Sequence, residues 1–247
     1  MEYETALERA YADFFACGNC NSCSEELQGK KCKFCKDRAA KVGARYGKKG
    51  PKVLVVGKES VNFHETFEKP VSSLDDAHNE HYRKTLYTLA LILDKGKKAP
   101  KSFAITDLKQ YEKLLEHFSL TNYYKCALEG SNADSVQNLP ATQRMKSTCY
   151  QLLLKEIDVL QPDLVVIQGK FTTKEFWEKL DEKDPEGNRV WGNKEKDTDT
   201  ISLYSYFRNG KTFYVLYSYH PSYFEAWSGD LFADLQNCIS EFKKIDT

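Results

Sequence analysis

Cysteine spacing is the first chemical signal in the chain. Cys17, Cys20, Cys23, Cys32 and Cys35 lie close together, with C-x-x-C intervals at Cys17/Cys20, Cys20/Cys23 and Cys32/Cys35. That interval lets two thiolates reach one metal, and in a reducing compartment it points to metal rather than to disulfides. Two ligand sets compete. The local one pairs two of Cys17, Cys20 and Cys23 with Cys32 and Cys35, close to zinc-ribbon spacing. The other joins Cys32 and Cys35 to the distant Cys126 and Cys149, giving four thiolates for an iron–sulfur cluster. Cys238, flanked by Asn237 and Ile239 in an amphipathic stretch, reads as an ordinary core thiol.

Around these cysteines the charge is uneven. The chain has 247 residues and a formal net charge of zero, with 36 basic and 36 acidic side chains. Between Lys30 and Lys52, however, ten basic residues face one acid, Asp37, so the remainder carries the balancing negative charge. A cationic segment beside a cysteine cluster is suited either to phosphates or simply to solvent. A hydrophobic content of 41% and an aromatic content of 13% exclude a disordered chain. The apolar runs are far shorter than the roughly 20 residues of a membrane span. The N-terminus lacks the pattern of a secretory signal, so the expected address is the cytoplasm.

The elements that must position these residues follow from periodicity. Residues 2–16 have helical spacing, with Tyr3, Leu7, Tyr11 and Phe14 on one side. Lys52–Gly57 and Asp163–Gly169 read as buried strands, and Ser119–Lys125 as a third. His81–Leu93, Leu108–Glu116, Thr142–Leu160, Phe171–Leu180 and Asp230–Lys244 read as helices. Ile201–Phe207 and Thr212–Tyr219 flank an Asn-Gly pair and so form a hairpin. Residues 58–79 read as a long loop of the kind that carries function. The alternation predicts an α/β fold, a three-layer α/β/α sandwich with a mostly parallel central sheet. Residues 1–50 form a helical, cysteine-rich segment packed through the metal site on an α/β/α domain of residues 51–247, a single domain overall. Ligands of such sheets bind at the carboxyl ends of the strands, here after Val56, around Asn122–Cys126 and after Tyr219.

In this order, a C-x-x-C with a basic stretch, the Val53-Leu-Val-Val-Gly57 strand, Thr121-Asn122-Tyr123-Tyr124-Lys125-Cys126, Cys149 ahead of Gln161–Gly169, and His220-Pro221-Ser222-Tyr223 resemble the iron–sulfur branch of the uracil-DNA glycosylase superfamily. The resemblance covers roughly Cys32 to Tyr223. It implies a [4Fe-4S] cluster on Cys32, Cys35, Cys126 and Cys149, with zinc as the alternative metal. DNA is the implied partner of a monomer that needs no membrane. Two motifs depart from the family. The G-E-x-P-G turn that follows the first strand is replaced by Gly57-Lys58-Glu59-Ser60-Val61, and Lys69-Pro70-Val71-Ser72 stands where an aromatic P-F-V-G is expected.

Breaking an N-glycosidic bond requires a flipped base, a stabilised leaving group and water directed at the sugar. The resemblance places His220 at the leaving base or the sugar-phosphate, and Ser222 on a phosphate. Tyr223 is a candidate wedge into the gap left by the base. Asn122 offers an amide to the Watson–Crick edge. Glu59, nearest the place of the family acid, and Asn62 are candidates for activating water, with Glu65 behind them. Lys58 is a phosphate contact or an amine nucleophile.

The leading reading is a DNA glycosylase that leaves an abasic site. Its target is uracil or, given the two altered motifs, a modified pyrimidine such as phage DNA carries, with a role in antiviral defence. A catalytically silent iron–sulfur DNA-binding relative is the first alternative. A zinc-stapled α/β enzyme that does not act on DNA is the second.

Overall fold

A computed structural model of the chain describes residues 2–16, 32–34, 39–48, 50–57, 78–93, 114–128, 143–169, 174–183, 187–192, 201–221 and 229–245. In chain order the elements are α1 (Glu2–Ala16), β1 (Cys32–Phe34), β2 (Lys41–Val42), β3 (Val53–Gly57), α2 (His78–Leu93), β4 (Phe118–Asn122) and β5 (Cys126–Leu128). There follow α3 (Gln143–Leu160), β6 (Leu164–Gln168), α4 (Lys174–Leu180), β7 (Asn188–Gly192), β8 (Ser202–Arg208), β9 (Lys211–Ser218) and α5 (Gly229–Ile245).

Seven strands form one sheet in the order β2-β4-β3-β6-β9-β8-β7. The four central strands β4, β3, β6 and β9 are mutually parallel, and the outer strands β2, β8 and β7 run antiparallel to their neighbours. β3 and β6 are buried at every position because both faces of the sheet are covered, which is why their sequences are continuous apolar runs. Side chains alternate between two cores. Leu54, Val56, Val165 and Ile167 meet α1, α3 and α4, whereas Val53, Val55, Leu164 and Val166 meet α2 and α5. The three-layer α/β/α sandwich is therefore present.

The local signals act as expected. Leu7, Tyr11 and Phe14, three and four residues apart, bury one face of α1. α3 ends where Gln161 adopts a left-handed φ of 44° ahead of Pro162. Asn209 and Gly210, with φ of 51° and 76°, make the tight turn between β8 and β9. Arg208 forks onto Asp158 of α3 at 2.5 and 2.9 Å, fastening the hairpin to the helix layer.

The strand predicted over Ser119–Lys125 is shorter than expected. It stops at Asn122 because Tyr123 and Tyr124, though consecutive, both pack into the core on the α1/α3 side, which the alternation of a strand forbids. The chain then re-enters pairing as β5, against β1 in a separate two-stranded sheet. α2 begins at His78, inside the stretch read as loop. Strands β1, β2, β5 and β7 were not anticipated, being short or, for β7, largely exposed. β2 joins the main sheet, so residues 41–42 of the N-terminal segment are part of the core domain's edge. Among the described residues, no helix is long and apolar enough to cross a membrane.

Candidate functional site at the carboxyl ends of the parallel strands

The last residues of the four parallel strands lie in one register row. Asn122 of β4 faces Gly57 of β3, Gly57 faces Gln168 of β6, and Gln168 faces Ser218 of β9. The side-chain-bearing members of this row are polar yet buried, at the end of the sheet where α/β proteins bind ligands. The chain runs from β3 to β4 on one side and returns through α3 to β6 on the other, so the topological switch lies between Gly57 and Gln168.

Two side chains reach toward this switch over glycines. The Asn122 Oδ1 lies only 2.9 Å from where a Cβ on Gly57 would stand. His220, two residues beyond β9 and half-buried, has its Cβ 3.3 Å from where a Cβ on Gly169 would stand, and Gly169 has a φ of 105°. A residue other than glycine would be strained at 169 and would press on Asn122 at 57. Asn122 is 3% exposed, and its Oδ1 has no hydrogen-bond partner among the described residues. Buried acceptors are nearly always paired, so an acceptor that the described residues leave open at a strand-end crevice is suited to a ligand. On its other side Asn122 borders a cavity of about 160 Å³ whose wall includes Lys41, Val42, Leu115, Phe118 and Leu120.

Gln168, absent from the sequence-based candidates, is pinned by Thr85 of α2, its Nε2 donating to Thr85 Oγ1 at 3.1 Å. The signal available was a polar residue closing the apolar run Leu-Val-Val-Ile.

Replacing Gly57 by alanine tests this arrangement. Its backbone conformation suits alanine, but the new methyl displaces the Asn122 amide. A ligand seated against Asn122 is expected to bind roughly 10- to 100-fold more weakly, with a melting temperature within about 4 °C of wild type.

The family described as the uracil DNA glycosylase superfamily matches residues 44–243. The chain belongs to that superfamily. No curated protein matches it. Uracil DNA glycosylase superfamily members are generally DNA glycosylases, hydrolases acting on DNA, and the mixed α/β fold with one mostly parallel sheet of seven strands agrees with membership. Within this superfamily frame, Asn122 and His220 stand at the ends of β4 and β9, two of the places singled out by the sequence. Lys58, Glu59, Asn62, Ser222 and Tyr223 lie outside the described residues.

The cysteines of this superfamily member converge in part. β1 and β5 pair antiparallel with Phe34 opposite Cys126 and Cys32 opposite Leu128, which brings the C-x-x-C segment beside Cys126. Cys149 on α3 is 1% exposed, and its Sγ accepts a hydrogen bond from the backbone N–H of Lys125 at 3.5 Å, one residue from Cys126. Cys35 lies outside the described residues. Burial, with Cys149 nearby, pushes the Tyr124 hydroxyl up to about 12, so that phenol stays protonated. Cys238 is fully buried, and desolvation raises its pKa, consistent with an inert core thiol.

Proposed function

We propose that this protein is a DNA glycosylase that flips a pyrimidine out of the duplex and hydrolyses its N-glycosidic bond. The observation that carries the reading is the buried Asn122 Oδ1 at the carboxyl end of β4, which has no hydrogen-bond partner among the described residues, in a chain of this superfamily. A carboxamide offers one acceptor and two donors, which matches the mixed edge of a pyrimidine. As the bond breaks, its electron pair leaves with the base and positive charge develops on the sugar. Asn122 holds the base edge and His220 stabilises the departing charge. Glu59, with Asn62, directs water at the sugar carbon. Lys58, Ser222 and Tyr223 hold the backbone and the gap left by the base. The rebuilt turn after β3 favours a modified pyrimidine over uracil, the kind of base found in phage DNA, and with it a defence role.

The metal reading is a [4Fe-4S] cluster held by Cys32, Cys35, Cys126 and Cys149. The pairing of β1 with β5 supports this set over a purely local zinc set, because it joins the N-terminal C-x-x-C to the segment of Cys126. Such a cluster supplies cross-linking of segments, since the hydrolysis transfers no electrons. Cys149→Ser is expected to lose most of the bound iron while the helical signal is kept, measured by iron and sulfide content and circular dichroism.

The test of the activity is mass spectrometry of free bases after incubating anaerobically purified protein with unmodified, uracil-containing and phage-modified DNAs. Release of a base establishes the reaction and names the substrate. DNA retention without release from any substrate overturns it in favour of a silent binding relative.

A further inference from the structure

Behind the cysteines the core contains a carboxylate that gathers the segments carrying them. Glu156 of α3 is completely buried and each of its oxygens serves one side of the molecule. Oε1 accepts from the Tyr11 hydroxyl at 2.5 Å and from the backbone N–H of Ala40 at 3.1 Å. Those donors belong to the N-terminal side, and Ala40 follows Cys35 by five residues. Oε2 accepts from the Thr121 hydroxyl at 2.9 Å and from the Lys125 ammonium at 2.7 Å. Thr121 directly precedes Asn122, and Lys125 directly precedes Cys126. Glu156 itself rides the same helix as Cys149, seven residues on, which places the two on one helix face about two turns apart.

A buried ion pair is a poor source of stability, because desolvating two charges offsets most of their attraction. Apolar side chains would fill the same space at no loss of burial. What charges supply and apolar groups do not is direction: four donors from three segments converge on one carboxylate with fixed geometry. The Lys125 residue held this way is also the one whose backbone N–H meets the Cys149 sulfur.

We propose that Glu156, acting through Lys125, is a positioning residue for the cysteine site: it sets the spacing of the three cysteine-bearing segments and aims the Lys125 N–H at the sulfur of Cys149. The inference rests on the cysteine assignment made above and adds the device that preforms it. Hydrogen bonds to a ligating sulfur tune both the affinity of a metal centre and its electronic signature.

The experiment compares wild type with the apolar double variant K125M/E156L, and with Tyr11→Phe, which removes one donor and leaves the ion pair in place. Each anaerobically purified full-length protein is assayed for iron and sulfide, for the rate of iron loss to a chelator, and for the electron paramagnetic resonance signal of the reduced cluster. The double variant is expected to keep the wild-type circular dichroism, to lose iron at least about tenfold faster, and to show a shifted resonance. Tyr11→Phe is expected to lie between it and wild type.

Equal iron loss and an unshifted signal in a folded double variant overturn the positioning role and leave the glycosylase reading intact. If the double variant does not fold, unchanged kinetics in Tyr11→Phe overturn the role. Zinc in place of iron in the wild type overturns the cluster but not the role, which the zinc-loss rates then decide. A wild type that takes up neither metal overturns both.

Discussion

Glu156→Ala is expected to destabilise the fold by about 3–5 kcal/mol, the cost of leaving a buried charge without its partner. The substitution strands four donors at once: the Tyr11 hydroxyl, the Ala40 N–H, the Thr121 hydroxyl and the Lys125 ammonium. Lys125 has no exposed side-chain surface, and burial already pushes its pKa below the ordinary lysine value despite the opposing pull of Glu156. Without that carboxylate the lysine must lose its proton, admit water or leave the core. Any of these loosens the packing of α1 on α3, since Tyr11 is part of that interface. Urea denaturation followed by circular dichroism measures the loss. The double variant K125M/E156L also leaves the Tyr11, Ala40 and Thr121 donors without the carboxylate but strands no charge, and is therefore expected to lie closer to wild type than Glu156→Ala. Equal destabilisation of the two variants would show that shape, not stranded charge, dominates this part of the core.

Asn122→Ala is expected to lower kcat/KM for base release by about 10²–10³-fold, the usual effect of removing one preorganised hydrogen-bonding group from the site of charge development. Stability should move the other way. The Oδ1 of Asn122 is buried with no partner among the described residues, so its removal is expected to relieve a desolvation cost and the melting temperature to hold or rise. That opposition separates a recognition residue from a structural one, because an asparagine retained for the fold would lose stability on truncation. The measurement pairs steady-state base release with thermal melting, and adds binding to abasic DNA, which is expected to stay within a few-fold of wild type. A variant that releases base at the wild-type rate would remove Asn122 from the site.

These two residues show how differently the site is written in the chain. The place of Asn122 at a strand end was legible: it lies in a Thr-Asn-x-x-Lys-Cys segment at the close of β4, and the carboxyl ends of parallel strands are where such folds commonly bind ligands. The place of His220, two residues beyond the end of β9, was legible for the same reason. Glu156 was not. It sits in α3 among Lys155, Ile157 and Asp158, a setting that reads as one more solvent-facing acid. Its burial depends on Tyr11, 145 residues away, and on Lys125, 31 residues away, which no local pattern reports. The burial of Gln168 was missed likewise, since its partner Thr85 comes from α2, 83 residues away.

The sequence by itself determined the secondary structure of the core, its layering and which strand ends lie together at one edge of the sheet. Periodicity, strand burial and turn chemistry are properties of short stretches, and each carried its own evidence here: the buried runs Val53–Gly57 and Leu164–Gln168, the Asn209-Gly210 turn, the apolar face of α1. Only the tertiary structure decided where the strand after Phe118 stops, that β1 and β5 pair beside the cysteines, and that one carboxylate is shared by α1, β4 and the segment before Cys126. Those facts depend on which distant surfaces compete for the same buried space. Tyr123 and Tyr124 leave the sheet because a core reached only through folding is there to receive both.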